Sequence, residues 1–114
     1  MSVNLKVSFD GKDYVVGILK SKSSLSISMG FNFNLYVREI ETDRTYVLDF
    51  SKDLCQLPKF DAYLRSDNNL RSCVISELEN RDLIIPLGKE VDYNGDTYRL
   101  YQFSYNLLDL CDTR

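Results

Sequence analysis

The 114-residue sequence has no histidine, no tryptophan, two prolines and three cysteines. Without histidine, neither a Ser-His-Asp nor a Cys-His nucleophile system can be assembled. Imidazole metal sites are excluded with them. Cys55, Cys73 and Cys111 are widely spaced and form no Cys-x-x-Cys pair, so a zinc site is not expected. Their odd number argues against a disulfide framework. No apolar run approaches the roughly 18 residues a membrane helix needs. Met1-Ser2-Val3 leads straight into an alternating stretch, with no basic and apolar leader before it. These absences place the chain in a reducing cytoplasm, away from membranes and without cofactor or metal. Cys73 is expected in the core, and Cys55 and Cys111 as surface thiols.

Other signatures are missing too. There is no calcium-binding acidic loop and no dinucleotide fingerprint. The Ser-rich stretch Lys20 to Ser28 lacks the glycines that wrap a phosphate, and reads as a mobile loop running into a strand at Leu25-Ile27-Met29. Asp49 and Glu39, on strands expected to be neighbours, are the carboxylate pair on offer for acid–base work. With 17 acidic residues, such pairs arise by chance, and the chain is read as non-enzymatic.

What is present is an ordinary globular composition, 44% hydrophobic and 27% charged, which argues against disorder. At this length one domain is expected, burying roughly two-thirds of its unfolded surface. The net charge of −3 is unevenly spread. Residues 1–38 hold five Lys/Arg against two Asp, and residues 39–114 hold nine Lys/Arg against fifteen Asp/Glu. A nucleic-acid binder usually carries a basic excess, so direct nucleic-acid binding is disfavoured.

The local pattern is mostly β. Val3, Leu5, Val7 and Phe9 alternate with polar residues, then Asp10-Gly11 leads into Tyr14 to Leu19, a first hairpin. Gly17 is expected to mark a bulge or close approach. Phe33 to Glu41 sets Phe33, Leu35 and Val37 on one face and Tyr36, Arg38 and Ile40 on the other. A polar turn at Glu41 to Arg44 returns it as Thr45 to Phe50. Ser51 to Lys59 reads as irregular and Phe60 to Leu64 as a short extended piece. Asp67-Asn68-Asn69 offers N-cap chemistry before a helix over about residues 69–80, whose apolar face is Leu70, Cys73, Val74 and Leu78. Glu77 falls inside that arc and needs an arginine partner or the water edge. Asn80 suits the left-handed geometry of a helix end. Asn94-Gly95 is a type I′ signal between Val91 to Tyr93 and Thr97 to Tyr105. The returning strand is apolar on both faces, which predicts a central position. Leu107, Leu108 and Leu110 are placed as a last docking turn.

With no reaction spelled out, binding surfaces remain. Tyrosine and arginine combine contact area with polar reach. Tyr36 with Arg38, and Arg99 with Tyr101, are the candidate contact pairs. Glu39, Glu41 and Asp43 begin an acidic sector running to Asp96 that would face a basic partner. A second reading makes Arg38, Arg99 and nearby tyrosines grip an anion such as a nucleotide. A third makes the chain a subunit that pairs through an exposed sheet edge, with a homodimer as its simplest form.

The order of these elements carries a resemblance. Gly11 and Tyr14 in the first hairpin, Asn68-Asn69 before the helix, Pro86-Leu87-Gly88, and Tyr101-Gln102-Phe103 at the close together resemble a family of small uncharacterised domains from Firmicutes and Bacteroidetes. Its members commonly sit on conjugative elements and prophages. The resemblance implies a mobile-element setting, no catalytic residues, and docking on a host protein, including inhibition of a bacterial defence nuclease as anti-CRISPR proteins do. The expected fold is α+β: a mainly antiparallel sheet of five or six strands built from hairpins, with one short helix packed on one face.

Overall fold

The computed structural model describes residues 4–22, 31–52, 54, 57, 60–67 and 69–113. The strands are β1 (Leu5–Phe9), β2 (Lys12–Lys22), β3 (Phe31–Glu39), β4 (Thr45–Asp49), β5 (Ser51–Lys52), β6 (Asp61–Arg65), β7 (Ile84–Tyr93), β8 (Asp96–Phe103) and β9 (Asp112–Thr113). Helix α1 (Asn69–Asn80) lies between β6 and β7, and α2 (Tyr105–Leu110) between β8 and β9. No helix among the described residues is long and apolar enough to cross a membrane.

The α+β class is as expected, but the single sheet is not. The strands form two sheets, one ordered β1-β2-β3-β4 with β9 added parallel to β2, the other ordered β5-β6-β8-β7. The division occurs at one residue. The Phe50 amide donates to the Phe33 carbonyl at 3.2 Å, and its carbonyl accepts from the Arg65 amide at 2.9 Å. Phe50 is fully buried and ends β4 in the first sheet as β5 begins in the second. A strand that changes sheets at a bend makes the corner of a folded-over sheet. Beside it the Ser51 hydroxyl accepts from the Phe33 amide at 2.7 Å and donates to Asn32 Oδ1 at 2.6 Å.

Both dipeptide turns form as read. Phe9 pairs with Lys12 and Tyr93 with Asp96, each across a two-residue loop. Asp10 and Gly11 have φ of 53° and 74°, and Asn94 and Gly95 have 51° and 84°. Two successive positive φ angles match a type I′ turn, whose twist suits paired strands. The middle hairpin joins β3 to β4, with Arg38 opposite Thr45. Strand β8 is central in its sheet, as its two apolar faces require. Tyr101 and Phe103 enter the main core, while Tyr98 is buried on the opposite side.

Other expectations are corrected. Gly17 stays in register opposite Tyr36, without a bulge. Lys20–Lys22 continue β2, and the expected strand at Leu25 to Met29 lies outside the described residues, as do Cys55 and Asn68. Cys111 is buried, its thiol donating to the Leu107 carbonyl at 3.1 Å, and Cys73 is only half-buried. The bulge lies in β7, between Pro86 and Glu90.

Helix α1 buries Leu70, Val74, Ile75 and Leu78 against the core. Its nearest strand is β1, and it also touches β7, one terminal strand from each sheet. Its end is fixed by the Asp82 amide donating to the Glu79 carbonyl and the Leu83 amide to that of Leu78, at 3.0 and 2.9 Å. This is a Schellman arrangement, with Asp82 instead of Asn80 in the left-handed region at φ 57°. Glu77 meets Arg81 at 2.8 Å, the arginine partner its position called for.

Candidate functional site

The outer face of the first sheet is built by alternation. On β3, Phe33, Leu35 and Val37 point inward, so Tyr36 and Arg38 point out. On β4, Val47 stands opposite Tyr36 and Thr45 opposite Arg38. Tyr36 and Ile40 are each 43% exposed and Val47 is 45% exposed. Three large apolar side chains therefore share one hairpin and meet water. Sequence reading singled out Tyr36 but missed Val47. Its exposure was legible only from its place opposite Tyr36, which alternation had already put outside.

This face ends in the two turns. Tyr14 of β2 pairs with Glu39 of β3, so Asp10-Gly11 and the β3–β4 turn lie at the same end of the sheet. The Ile40 amide donates to the Asp13 carbonyl at 3.1 Å and ties the turns together. Asp10, Asp13, Glu41 and Asp43 are all exposed here, with Lys12, Arg38 and Arg44 among them. Asp43 is taken by Arg38 at 3.3 Å. Asp13 accepts a short hydrogen bond from the Ser8 hydroxyl. The Arg44 guanidinium sits 5.5 Å from the centre of the Tyr46 ring.

Glu39 and Tyr101 do not belong to this surface. Glu39 shares the inward face with Val37, is 6% exposed, and meets Lys12 at 3.5 Å. Tyr101 is 4% exposed, and burial raises its phenol pKa, with the Glu79 charge adding to the effect. Arg99 is exposed on the second sheet, bound to Glu90 at 3.1 Å. The candidate residues thus fall into two groups on different sheets. Tyr36, Arg38, Glu41 and Asp43 stand together, and Arg99 is elsewhere.

The proposed carboxylate pair also separates. Asp49 is opposite Asn34 while Glu39 is five residues further along β3, a displacement of about 16 Å at the strand rise. The two also point to opposite faces. They cannot share a proton or flank a substrate bond. Arg38 and Arg99, the two arginines of the anion-grip reading, stand on different sheets. The hollow of about 230 Å³ beside Arg99 is lined by Pro86, Gly88, Lys89, Glu90 and Leu100, with no tyrosine.

Part of the acidic sector is neutralised within the fold. Arg65 contacts Asp67 at 2.6 Å and Asp96 at 3.3 Å. Arg71 contacts Asp67 at 3.1 Å, and its Nε donates to the Asp49 carbonyl at 2.6 Å. The hydrogen bond from Arg65 holds the Asp67 carboxyl below the usual range, against the effect of burial. Glu77 and Glu90 have their own arginines. The acid count is plain in the sequence, and Arg81 lies only one helical turn from Glu77; Arg65 with Asp96 and Arg99 with Glu90 meet only through strand pairing. A second groove, of about 330 Å³, lies between β1 and α1 and is lined by Lys6, Val7, Ser8, Ser72, Cys73, Ser76 and Glu77.

No family model matches the chain, and comparison with curated proteins and with solved structures likewise finds no match.

Proposed function

We propose that the chain is a non-enzymatic binding protein of a phage or mobile element, and that it docks on and inhibits a host protein. The observation that carries this reading is the exposed pair of Tyr36 and Val47, with Ile40 further along the same hairpin and acidic turns beside it. An apolar and aromatic centre with a charged rim is the general anatomy of a protein interface. Among the described residues Glu41 and Asp10 have no ion-pair partner, so the rim suits a basic partner surface. A nucleic-acid-processing defence protein offers such a surface, and the resemblance to mobile-element domains favours that partner class. The contact is the turn end of the first sheet, a narrower surface than the whole acidic sector.

The test is a tagged pull-down from a bacterial lysate with the unaltered chain, a Tyr36→Ala/Val47→Ser variant and a Glu90→Gln control. One host protein retained by the chain and the control, lost by the double variant, and released at high salt is the expected result. The purified partner, if a nuclease, should then lose cutting activity when the chain is added. A captured protein held equally by the double variant, or held without salt dependence, would refute the surface assigned here.

A further inference from the structure

We propose that the groove between β1 and α1 is a second binding site, which takes an extended peptide segment with an acidic side chain as an added strand. The site is separate from the outer-face surface above. Among the described residues β1 is a terminal strand of its sheet, paired on one side by β2. The two-residue turn makes Phe9 and Lys12 a hydrogen-bonded pair, so Val7 and Leu5 also direct their backbone groups at β2. The Asp13 carbonyl points the other way, toward Ile40, as this alternation demands. The backbone N–H and C=O of Lys6 and Ser8 therefore face the groove. They form a two-residue template for a further strand.

The opposite wall is α1. Ser72 and Ser76 present small exposed side chains, and Cys73 and Glu77 are half-buried beside them. Large side chains at positions 72 and 76 would fill the space. Serines leave about 330 Å³, room for two or three residues of a strand. Strand β7, a terminal strand of the second sheet, is treated differently. It carries Pro86, which lacks an N–H, and the bulge before Glu90, both of which blunt strand addition. Strand β1 has neither in its five residues.

Charge sets the preference. Glu77 is already bound by Arg81. Among the described residues Lys6 has no ion-pair partner, and it is the uncommitted charge on the groove wall. It favours a segment with an aspartate or glutamate placed to meet it. An edge strand between a groove and a helix wall takes peptides by main-chain hydrogen bonding, with side chains at alternate positions supplying selectivity.

The experiment selects a displayed library of random dodecapeptides on the folded chain and measures the enriched peptides by fluorescence anisotropy. Ser8→Pro deletes the groove-facing N–H but spares the β2 ladder, and Ser76→Trp fills the groove from an exposed helix position. Ser8→Ala controls for the hydroxyl. The expected result is a set of acidic, alternating peptides that lose about tenfold or more in affinity with Ser8→Pro and with Ser76→Trp, and keep it with Ser8→Ala. Lys6→Glu should reverse their charge preference, and amide NMR shifts should centre on Lys6 and Ser8. The proposal is overturned if no peptide is enriched, if the enriched peptides ignore Ser76→Trp, or if sedimentation shows β1 consumed in a dimer that Ser8→Pro dissociates. Tyr36→Ala/Val47→Ser should leave peptide affinity unchanged, so this site and the outer face can fail independently.

Discussion

The rings of Phe33 and Phe103 stack 4.3 Å apart with 18° between their planes, one from each sheet. Both side chains are buried and belong to the same core cluster. Stacked aromatics contribute beyond their area burial, and this pair bridges the two layers. Phe103→Ala should cost about 3–5 kcal/mol, the range for truncating a buried aromatic. Urea unfolding followed by tyrosine fluorescence measures it. A loss under about 1 kcal/mol would show that the layers do not depend on this contact.

Asp67 gives a pH signature. The hydrogen bond from Arg65 depresses its folded pKa, and the Arg65 and Arg71 charges act in the same direction. A depressed folded pKa means the native state binds the proton more weakly than the unfolded chain. The stabilisation is therefore present above the unfolded value near about 4 and is lost as pH falls through the folded value. Asp67→Asn should cost about 1 kcal/mol at neutral pH, and the gap from the parent should close under acid conditions. Asp61 has the opposite sign, since burial raises its folded pKa, against a hydrogen bond from Gln102. Its favourable contribution is present at low pH and fades as pH rises through the folded value. Asp61→Asn should hold or raise stability at neutral pH. Urea titrations across this pH range separate the two.

Gly95 tests the turn chemistry. Its φ is 84°, and a Cβ placed there meets nothing within 4 Å. Any cost of Gly95→Ala is thus backbone strain without steric clash. About 1–2 kcal/mol is expected in a thermal or urea melt, as for other L-residues in the left-handed region. No change would mean that the turn relaxes to another type.

Arg81 tests whether Glu77 is a structural acid. The pair sits one helical turn apart at 2.8 Å, with both side chains partly exposed. Arg81→Ala should shift stability by no more than about 0.5 kcal/mol. It should leave capture of a host partner intact, because Arg81 is no part of the face formed by Tyr36, Val47 and Ile40.

The elements legible in the sequence are those set by local chemistry. Asp10-Gly11 and Asn94-Gly95 need only their own φ angles, and the period of Leu70, Val74 and Leu78 needs only one helix. Alternation from Phe33 to Val37 also placed Tyr36 and Arg38 outside correctly. Carried one step further, it puts Glu39 inside, a signal that its charge obscured. The sheet division could not be read, because it depends on Phe50 bonding to Phe33 in one direction and to Arg65 in the other. The β1 groove was hidden for a similar reason. Ser72 and Ser76 look like ordinary solvent-facing helix residues until β1 is seen alongside them. Strand β9 pairs with β2 through only Asp112 and Thr113, too short a run to carry a periodic signal.

The corner at Phe50 also governs how the molecule can come apart. A residue shared by both layers gives them a common seam, so neither can peel away while the other keeps its full set of backbone partners. Amides on β3 and β6, distant in sequence, should become solvent-accessible in one concerted opening. The molecule therefore behaves mechanically as one creased ribbon, with α1 laid against its two free margins.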